Sequence, residues 1–206
     1  MKALIVVLLS TFPAVAQTAP LNRPAILFTD VTAGPGTGGP SGLGAPIAIF
    51  GKGFGASRGS SRVTIGGVEV ARGLTWGQQS ATNGLLDMVV VQPGPNVQAG
   101  AIRVEVGGII STGSAQFTKT SGKVYWLSPS GNDAGACSEA APCRTLLSVL
   151  GSKARAGDMV LMRGGAYSEG EIWIRDVLGM SGRADAPVVI RNYPNEYPLF
   201  TNAARP

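Results

Sequence analysis

The sequence contains no histidine, and this absence excludes several kinds of chemistry. Ser-His-Asp and Cys-His hydrolysis both require an imidazole, so neither can operate within this chain. Iron and copper sites that depend on histidine ligands are excluded for the same reason. The chemistry that remains relies on carboxylates, Lys, Arg, Tyr or cations bound through oxygen.

Charged residues are also scarce, at 14% of 206 residues, with a net charge of +5. Lys and Arg are scattered along the chain, so we expect no nucleic-acid partner. The apolar stretch Ala3–Leu9 is well short of the about 20 residues that span a bilayer, so we expect no membrane span. The 30 glycines and 14 prolines favour short strands joined by turns, and the length suggests one or two domains.

The N-terminus has the layout of a secretory signal peptide. Lys2 precedes the apolar stretch, and the small residues Ala14 and Ala16 stand before Gln17. We therefore predict a signal peptide over residues 1–16, cleaved between Ala16 and Gln17. The mature protein is expected to be secreted, either to a periplasm or to the extracellular medium.

Cysteine is nearly absent, with only Cys137 and Cys143 in the chain. Export would carry both thiols into an oxidising compartment. A structural zinc site would need two further ligands, and the chain offers neither histidine nor another cysteine. We therefore predict a disulfide between Cys137 and Cys143. Its loop is short, so the bond should shape a local turn and contribute no more than about 2–3 kcal/mol.

Residues 20–118 alternate short apolar segments with glycine-rich turns, which is typical of a β-sandwich. The predicted strands are Ile26–Val31, Pro46–Gly51, Arg62–Ile65, Val68–Ala71, Asp87–Val91, Ala101–Val106 and Ala115–Thr118. The motifs "GPGTGGP", "IAIFGKGFG", "VTIGGVEV" and "IRVEVGGIISTGSAQFT" follow one another here. In order and spacing they resemble the IPT/TIG family of immunoglobulin-like domains. The resemblance implies a binding or spacer module, with an unusually Gly/Pro-rich first loop and no cysteine pair.

Two glycine patterns in this segment suggest nucleotide binding but lack the context for it. Gly34, Gly36 and Gly39 fit the G-x-G-x-x-G fingerprint, yet "PSGLGAP" follows and cannot form the helix that would hold a pyrophosphate. The GKG triplet at residues 51–53 lacks the Ser/Thr and the spacing of a phosphate-binding loop. We interpret the first set as turn glycines and the triplet as a strand exit.

Side chains that could form a site are sparse in the sandwich. Asp30, Glu69 and Asp87 are isolated in the sequence, and each is expected to cap a turn or to lie on a solvated face. Trp76 could stack on a sugar from an exposed position, but we favour its burial against the sandwich core.

Residues 119–123 form a polar linker, after which the pattern changes. The strands predicted beyond it are Val124–Leu127, Met159–Arg163, Glu171–Asp176, Pro187–Tyr193 and Pro198–Thr201. A short helix is predicted to begin after Thr145, its N-cap, with an apolar patch formed by Leu146, Leu147, Val149 and Leu150.

The segments "VYWLSPSGNDAG", "APCRTLLSVLGSKARAGDMVLMRGGAYSEG" and "SGRADAPVVIRNYPNEYP" resemble the start of secreted right-handed parallel β-helix proteins. That superfamily includes many polysaccharide lyases. The resemblance implies an all-β protein, with an Ig-like β-sandwich followed over residues 124–206 by the capped start of a parallel β-helix. The patch at residues 146–150 would cap the first coil, and the Cys137–Cys143 bridge would fix the loop that delivers this helix. About two coils follow, so we expect the β-helix to be incomplete in this chain.

The resemblance also implies a carbohydrate-active protein that acts on or binds an acidic polysaccharide, through lyase-type β-elimination in a full-length protein. A Lys or Arg base and calcium held by carboxylates would suffice for that reaction. Calcium is therefore possible in the full-length protein, and no cofactor is expected in this fragment. A non-enzymatic surface or adhesion protein is the alternative, and the oligomeric state stays open.

Six side chains in the second part are of the right type for such a reaction. They are Arg163, Arg175, Asp176, Arg183, Asp185 and Arg191. We expect solvated strand-end or turn positions for all six, and we assign no catalytic residue and no metal ligand.

Overall fold

The computed structural model describes residues 23–79, 85–113, 115–169, 172 and 182–201. These residues form an all-β protein with one α-helix, which confirms the predicted fold class at this level. The predicted signal peptide, with its cleavage point at Ala16 and Gln17, lies outside the described residues. So do Arg175 and Asp176, together with nearly all of the strand predicted around them.

The first part of the chain is a β-sandwich. Its strands are β1 (Ala25–Thr29), β2 (Ala33–Pro35), β3 (Ile47–Lys52), β4 (Arg62–Ile65), β5 (Val68–Glu69), β6 (Arg72–Gln79), β7 (Asp87–Gln92), β8 (Gly100–Val106), β9 (Ile109–Ile110) and β10 (Gln116–Thr120). One sheet has the order β1-β3-β7-β6 and is antiparallel throughout. The other has the order β2-β10-β8-β4-β5, with β9 beside β8. This arrangement is consistent with the predicted Ig-like sandwich.

The strands predicted for the sandwich are all present, with small shifts at their ends. The strands β2, β6 and β9 were not predicted, because they are very short or rich in glycine. β6 contains Gly73 and Gly77, and glycine lowers strand propensity. Pairing with β7 holds β6 in place, with register shifts on either side of Thr75. Tertiary contacts therefore decide this strand against its local preference.

The second part of the chain contains parallel sheets. Its strands are β11 (Val124–Leu127), β12 (Met159–Met162), β13 (Gly165–Tyr167), β14 (Val189–Asn192) and β15 (Pro198–Phe200). β11, β12 and β14 form a three-stranded parallel sheet in that order, and β13 pairs in parallel with β15. Parallel neighbours need long crossover connections, and α1 (Leu146–Ser152) lies in the one between β11 and β12. β13 lies between the predicted strands Met159–Arg163 and Glu171–Asp176, in a segment for which no strand is predicted.

Two strands of the three-stranded parallel sheet, β11 and β12, are covered on both faces. Trp126 and Leu161 lie on one face and join the hydrophobic core of the sandwich. Leu127, Val160 and Met162 lie on the other face and pack against α1 and the two cysteines. Strands buried on both faces are expected to be continuous apolar runs, which accounts for the sequence MVLM of β12. The sandwich and the parallel sheet therefore share one continuous core.

The polar segment at residues 119–123 is a tightly bonded connection. β10 extends to Thr120, whose Oγ1 donates to the Gly157 carbonyl oxygen over 2.6 Å. The amide of Lys123 donates to Oδ1 of Asp158 over 2.7 Å. Gly122 lies so close to the Gly157 carbonyl that a side chain would have no room. These contacts tie the end of the sandwich to the start of β12.

The Gly/Pro-rich first loop lies against the parallel sheet. Nε1 of Trp126 donates to the Gly38 carbonyl oxygen over 3.0 Å. Gly38 has φ +83°, and a Cβ added to it would contact the Val124 backbone at 3.6 Å. Gly34 is part of β2, so it is not the turn glycine that was predicted, and it faces Met159. The glycines therefore serve close packing between the two parts of the chain.

Helix α1 begins as predicted and presents a narrower apolar face than predicted. Oγ1 of Thr145, the N-cap, accepts from the Ser148 amide over 3.2 Å. Leu146, Val149 and Leu150 are buried, whereas Leu147 is 52% exposed. The prediction that Leu147 belongs to the patch is wrong, because Leu146, Val149 and Leu150 fall within a stripe of about 100° around the helix and Leu147 lies outside that stripe.

The predicted disulfide between Cys137 and Cys143 is present, and both residues are fully buried. Its loop runs along the edge of β11. The Trp126 amide donates to the Cys137 carbonyl oxygen over 2.7 Å, and the Cys143 amide donates to the Trp126 carbonyl oxygen over 2.8 Å. An uncovered edge strand would present unpaired backbone groups. The disulfide loop therefore covers this edge of the parallel sheet.

We predict that Trp126→Ala lowers the free energy of unfolding by about 3–5 kcal/mol, since it leaves a cavity in the shared core. Hydrogen exchange followed by mass spectrometry should show β7 and β12 losing protection together. Leu147→Ala is the control, because it truncates a half-exposed leucine, and it should change the free energy of unfolding by less than about 0.5 kcal/mol. Loss of protection in β12 alone would contradict a shared core.

We predict that replacing both cysteines, as Cys137→Ala with Cys143→Ala, lowers the free energy of unfolding by about 2 kcal/mol, because a short loop is no longer closed. The Trp126 and Ser128 amides should then exchange faster, since both depend on this loop. Ser138→Ala serves as the control, because its hydroxyl accepts only from the Ala141 amide within the loop. Unchanged exchange at Trp126 would show that the loop covers β11 without the disulfide.

Candidate functional site

A groove of about 210 Å³ lies where the sandwich meets the second part of the chain, and we call it the interface groove. One wall is the outer face of the sheet β1-β3-β7-β6. The opposite wall is the end of β14 and the turn that follows it. The lining residues are Asp30, Ala48, Phe50, Met88, Val90, Arg191, Asn192, Pro194, Asn195 and Tyr197.

Strand alternation builds the wall on the sandwich. In β3 the side chains of Ile47 and Ile49 point into the core. Side chains alternate along a strand, so Phe50 of the same strand points outward and lines the groove. A register shift in β1 lies between Ile26 and Phe28. Such a bulge redirects the following side chain, and the Phe28 ring stacks on Phe50 with 4.8 Å between ring centroids and 18° between planes. The outer face of this sheet therefore carries a stacked aromatic pair.

An ion pair closes the base of the interface groove. Arg191 stands in register with Trp126 and Leu161, so its side chain points toward the sandwich. Its Nη1 lies 3.0 Å from Oδ2 of Asp30 and donates to the Pro46 carbonyl oxygen over 2.5 Å. The Arg191 side chain is 11% exposed and that of Asp30 is 29% exposed.

These positions overturn two expectations from the sequence. Asp30 is not an isolated group on a solvated face, since its Oδ1 accepts from the Ala48 amide over 2.7 Å and its Oδ2 meets Arg191. Arg191 is not a solvated strand end. The reason is the shared core, which brings together residues that are far apart in the sequence.

Burial changes the electrostatics of both partners. It raises the pKa of Asp30 above the ordinary value, although the positive charge of Arg191 and hydrogen bonds from backbone amides oppose the rise. Burial lowers the pKa of Arg191, and the Asp30 carboxylate counters that effect. An arginine stays charged in proteins, so Arg191 remains a cation beside Asp30.

The opposite wall presents exposed polar and aromatic groups. Tyr197 is 81% exposed. Asn195 has φ +64° in the turn, and its side-chain amide has no hydrogen-bond partner among the described residues. The Asn192 amide nitrogen donates to the carbonyl oxygens of Tyr193 and Glu196 over 3.1 and 2.8 Å, which shapes the turn. The free amide of Asn195 and the exposed Tyr197 ring therefore line the groove opposite Phe50.

A second ion pair supports this turn from behind. Nη2 of Arg163 lies 2.7 Å from Oε1 of Glu196, and the Gly164 amide donates to Oε2 over 2.6 Å. The Arg163 guanidinium lies 4.9 Å from the centre of the Tyr193 ring. The hydrogen bonds to Glu196 raise the pKa of Arg163, so this residue is unsuited to act as a base.

Comparison with known proteins identifies the first part of the chain. The sequence of residues 28–119 matches the IPT/TIG domain family. Residues 28–119 are an IPT/TIG domain. A search of curated proteins gave no match.

A solved structure described as a glycoside hydrolase matches part of the chain at 30% identity, with a TM-score of 0.32. The match covers 38% of this chain and 14% of the other, so the chain corresponds to only a small fraction of that protein's length.

The remaining side chains singled out in the IPT/TIG domain have structural roles. Oδ2 of Asp87 accepts from the Phe54 amide, and Glu69 forms an exposed ion pair with Arg58. Both agree with the predicted turn and surface positions. Trp76 is half-buried against the core and donates to the Phe54 carbonyl oxygen over 2.8 Å, which confirms its burial.

Four of the six side chains considered for lyase chemistry lie in the described residues, and these four do not meet in one place. Arg183 and Asp185 form an exposed pair within one turn, as predicted. Arg163 and Arg191 belong to separate ion pairs. In the described part of the chain, no group of three or more Cys, Asp or Glu side chains is arranged to hold a metal ion. Nor does any helix in that part have the length and hydrophobicity of a membrane crossing.

Sequence reasoning did not find the interface groove. Phe28 and Phe50 lie in predicted strands, but the sequence does not show which face of the sheet their rings occupy. Tyr197 lies between the predicted strands Pro187–Tyr193 and Pro198–Thr201. The run "NYPNEYP" was one available signal, because it places two tyrosines and two amides in a turn.

We predict that Asp30 titrates above the ordinary Asp pKa of 3.8 and that Asp133 titrates below it. Burial acts on Asp133 too, but hydrogen bonds from Thr145, from the Arg144 amide and from Ser148 outweigh it. Ionised Asp133 therefore contributes stability that is lost as the pH falls through its lowered pKa. Asp30 acts in the opposite sense. The folded protein favours its protonated form, so the stability that this proton contributes is lost as the pH rises through the raised pKa of Asp30.

Carbon-detected NMR of the side-chain carboxyl groups measures both midpoints in one titration. An Asp30 midpoint below that of Asp133 would contradict the burial of the Asp30–Arg191 pair.

Proposed function

We propose that the chain is part of an exported carbohydrate-binding protein and that the interface groove is the binding site. The observation that carries the proposal is the exposed Tyr197 ring beside the free amide of Asn195, opposite Phe50. Sugars offer apolar ring faces that stack on aromatic side chains and hydroxyls that pair with amides and carboxylates. Ligand sites commonly combine such apolar surfaces with a few polar groups.

We propose further that residues 124–206 are the capped first coils of a right-handed parallel β-helix. The in-register parallel pairs β11-β12-β14 and β13-β15 support this interpretation. The disulfide loop and α1 would cap the first coil. At the other side of the stack Ile190 and Phe200 are 37% and 46% exposed, and further coils would cover them there.

Export is proposed from the signal peptide predicted over residues 1–16. The Cys137–Cys143 disulfide supports it, because disulfides persist in oxidising compartments.

The expectation of a lyase that acts on an acidic polysaccharide gains no support from the described residues. Arg163, Arg183 and Arg191 are each engaged by a carboxylate, so none of them is a free base. The alternative expectation, a non-enzymatic surface or adhesion protein, needs only a binding site such as the interface groove. We therefore favour binding over catalysis for this part of the protein.

The test is binding of a panel of soluble polysaccharides by affinity electrophoresis and calorimetry. We predict that Tyr197→Ala weakens binding on the order of tenfold, because an aromatic stacking surface is lost. Tyr197→Phe should retain most of the affinity. Leu199→Ala is the matched control, since Leu199 is 61% exposed and lies outside the groove.

Two outcomes would reject the proposal. One is that no polysaccharide in the panel binds. The other is that Tyr197→Ala and Leu199→Ala bind as the unsubstituted protein does.

A further inference from the structure

The interface groove contains one positive and one negative side chain, and these are paired with each other. Arg191 and Asp30 are 3.0 Å apart at its base. Every other lining residue is uncharged, whether apolar, amide or phenol. The next ion pair behind the turn, Arg163 with Glu196, is balanced in the same way. The groove therefore has no surplus charge to offer a ligand.

We infer that the interface groove binds neutral sugar units and discriminates against uronic acids. This inference rests on the proposed carbohydrate-binding function and names the class of sugar. It replaces the acidic polysaccharide expected from the sequence, since that expectation came from a family resemblance.

The first argument is the state of Arg191. A uronate carboxylate needs a cation or several free donors, and Nη1 of Arg191 already serves Asp30 and the Pro46 carbonyl oxygen. Its Nε donates to the Asn192 carbonyl oxygen over 3.3 Å. A second carboxylate would also lie close to the Asp30 carboxylate, and like charges in a partly desolvated site repel.

The second argument is the match between donors and acceptors. Both members of the ion pair line the groove: Asp30 has acceptor oxygens, and no hydrogen bond joins Nη2 of Arg191 to another described residue. A sugar hydroxyl both donates and accepts, so one or two hydroxyls can bridge this pair. An ionised carboxylate only accepts, so it would leave the Asp30 acceptor facing another acceptor.

The third argument is size. Pockets that enclose drug-sized ligands have volumes of about 300–1,000 Å³. The interface groove, at about 210 Å³, is smaller, so it has room for about one sugar ring with the rest of the chain in solvent. A single ring seated between Tyr197 and Phe50 would have its hydroxyls directed at Asp30, Arg191 and Asn195.

Acidic polymers will still be attracted to the protein through its net charge of +5. That attraction is spread over scattered side chains and is screened by salt. Binding in the groove should differ from it in two ways, because it should depend on Tyr197 and should be nearly independent of salt.

The experiment compares neutral glucans, xylan and mannan with polygalacturonate and alginate, at about 50 mM and about 500 mM NaCl. The expected result is that at least one neutral polymer keeps its affinity within about twofold between the two salt concentrations and loses about tenfold in Tyr197→Ala. Acidic polymers should bind only at low salt, and equally well to Tyr197→Ala and Leu199→Ala.

A variant that removes the negative charge of Asp30 gives a second comparison between neutral and acidic polymers. Asp30→Asn keeps the shape of the side chain and an oxygen for the Ala48 amide, but it leaves Arg191 without its counter-ion. The affinity of this variant for neutral polymers should weaken several-fold. Its binding of polygalacturonate should become dependent on Tyr197. Because an unpaired buried guanidinium costs stability, the fold of this variant is checked by circular dichroism. The double variant Asp30→Asn with Arg191→Gln restores neutrality and should lose the acquired polygalacturonate binding.

The outcomes distinguish failure of this inference from failure of the proposed carbohydrate-binding function. Tyr197-dependent binding of a uronic acid polymer that is tighter than that of any neutral polymer would overturn the inference and leave the proposed function standing. The unsubstituted protein decides this point even if Asp30→Asn fails to fold. Failure of every polymer to bind would overturn the proposed function, and the inference with it.

Discussion

The position of Trp126 in a core shared by both parts of the chain is the constraint on which the rest of the structure depends. The ring packs among sandwich residues, and its Nε1 donates to the Gly38 carbonyl oxygen. The parallel sheet that carries it is apolar on both faces, so each face must be covered. The IPT/TIG domain covers one face, and α1 with the disulfide loop covers the other. The IPT/TIG domain is therefore an integral part of this structure, since removing it would expose the Trp126 face to water.

This shared core also places the candidate site. Arg191 follows Trp126 and Leu161 across the parallel sheet, on the same face and in register. That face meets the sandwich, so Arg191 reaches Asp30 and the turn after β14 comes to lie beside Phe50. Burial raises the pKa of Asp30, and the cost is offset by Arg191 and by backbone amides. A groove with balanced charge, an exposed tyrosine ring and the free amide of Asn195 results from the packing of the two parts against each other.

The two edges of the parallel sheet, at β11 and at β14, differ in how they are covered. Beside β11 the disulfide loop pairs with the strand edge, and α1 closes the apolar interior. Beside β14 and β15 the interior positions Ile190 and Phe200 are partly exposed. The disulfide loop therefore protects the β11 edge, because edge strands left open are prone to pair with other chains.

The sequence by itself determined most of the strands, the helix after Thr145, the disulfide and the IPT/TIG character of residues 28–119; it missed β2, β6, β9 and β13. These features depend on local patterns: alternation of apolar residues, an N-cap, a single pair of cysteines and turn glycines. Only the tertiary structure decided β6, the outward turn of Phe28, the exposure of Leu147 and the meeting of Asp30 with Arg191. Each of these depends on which face of a strand or helix meets a distant partner, and no local pattern specifies that partner. The candidate groove belongs wholly to this second group, because its two walls come from segments that meet only when the shared core has formed.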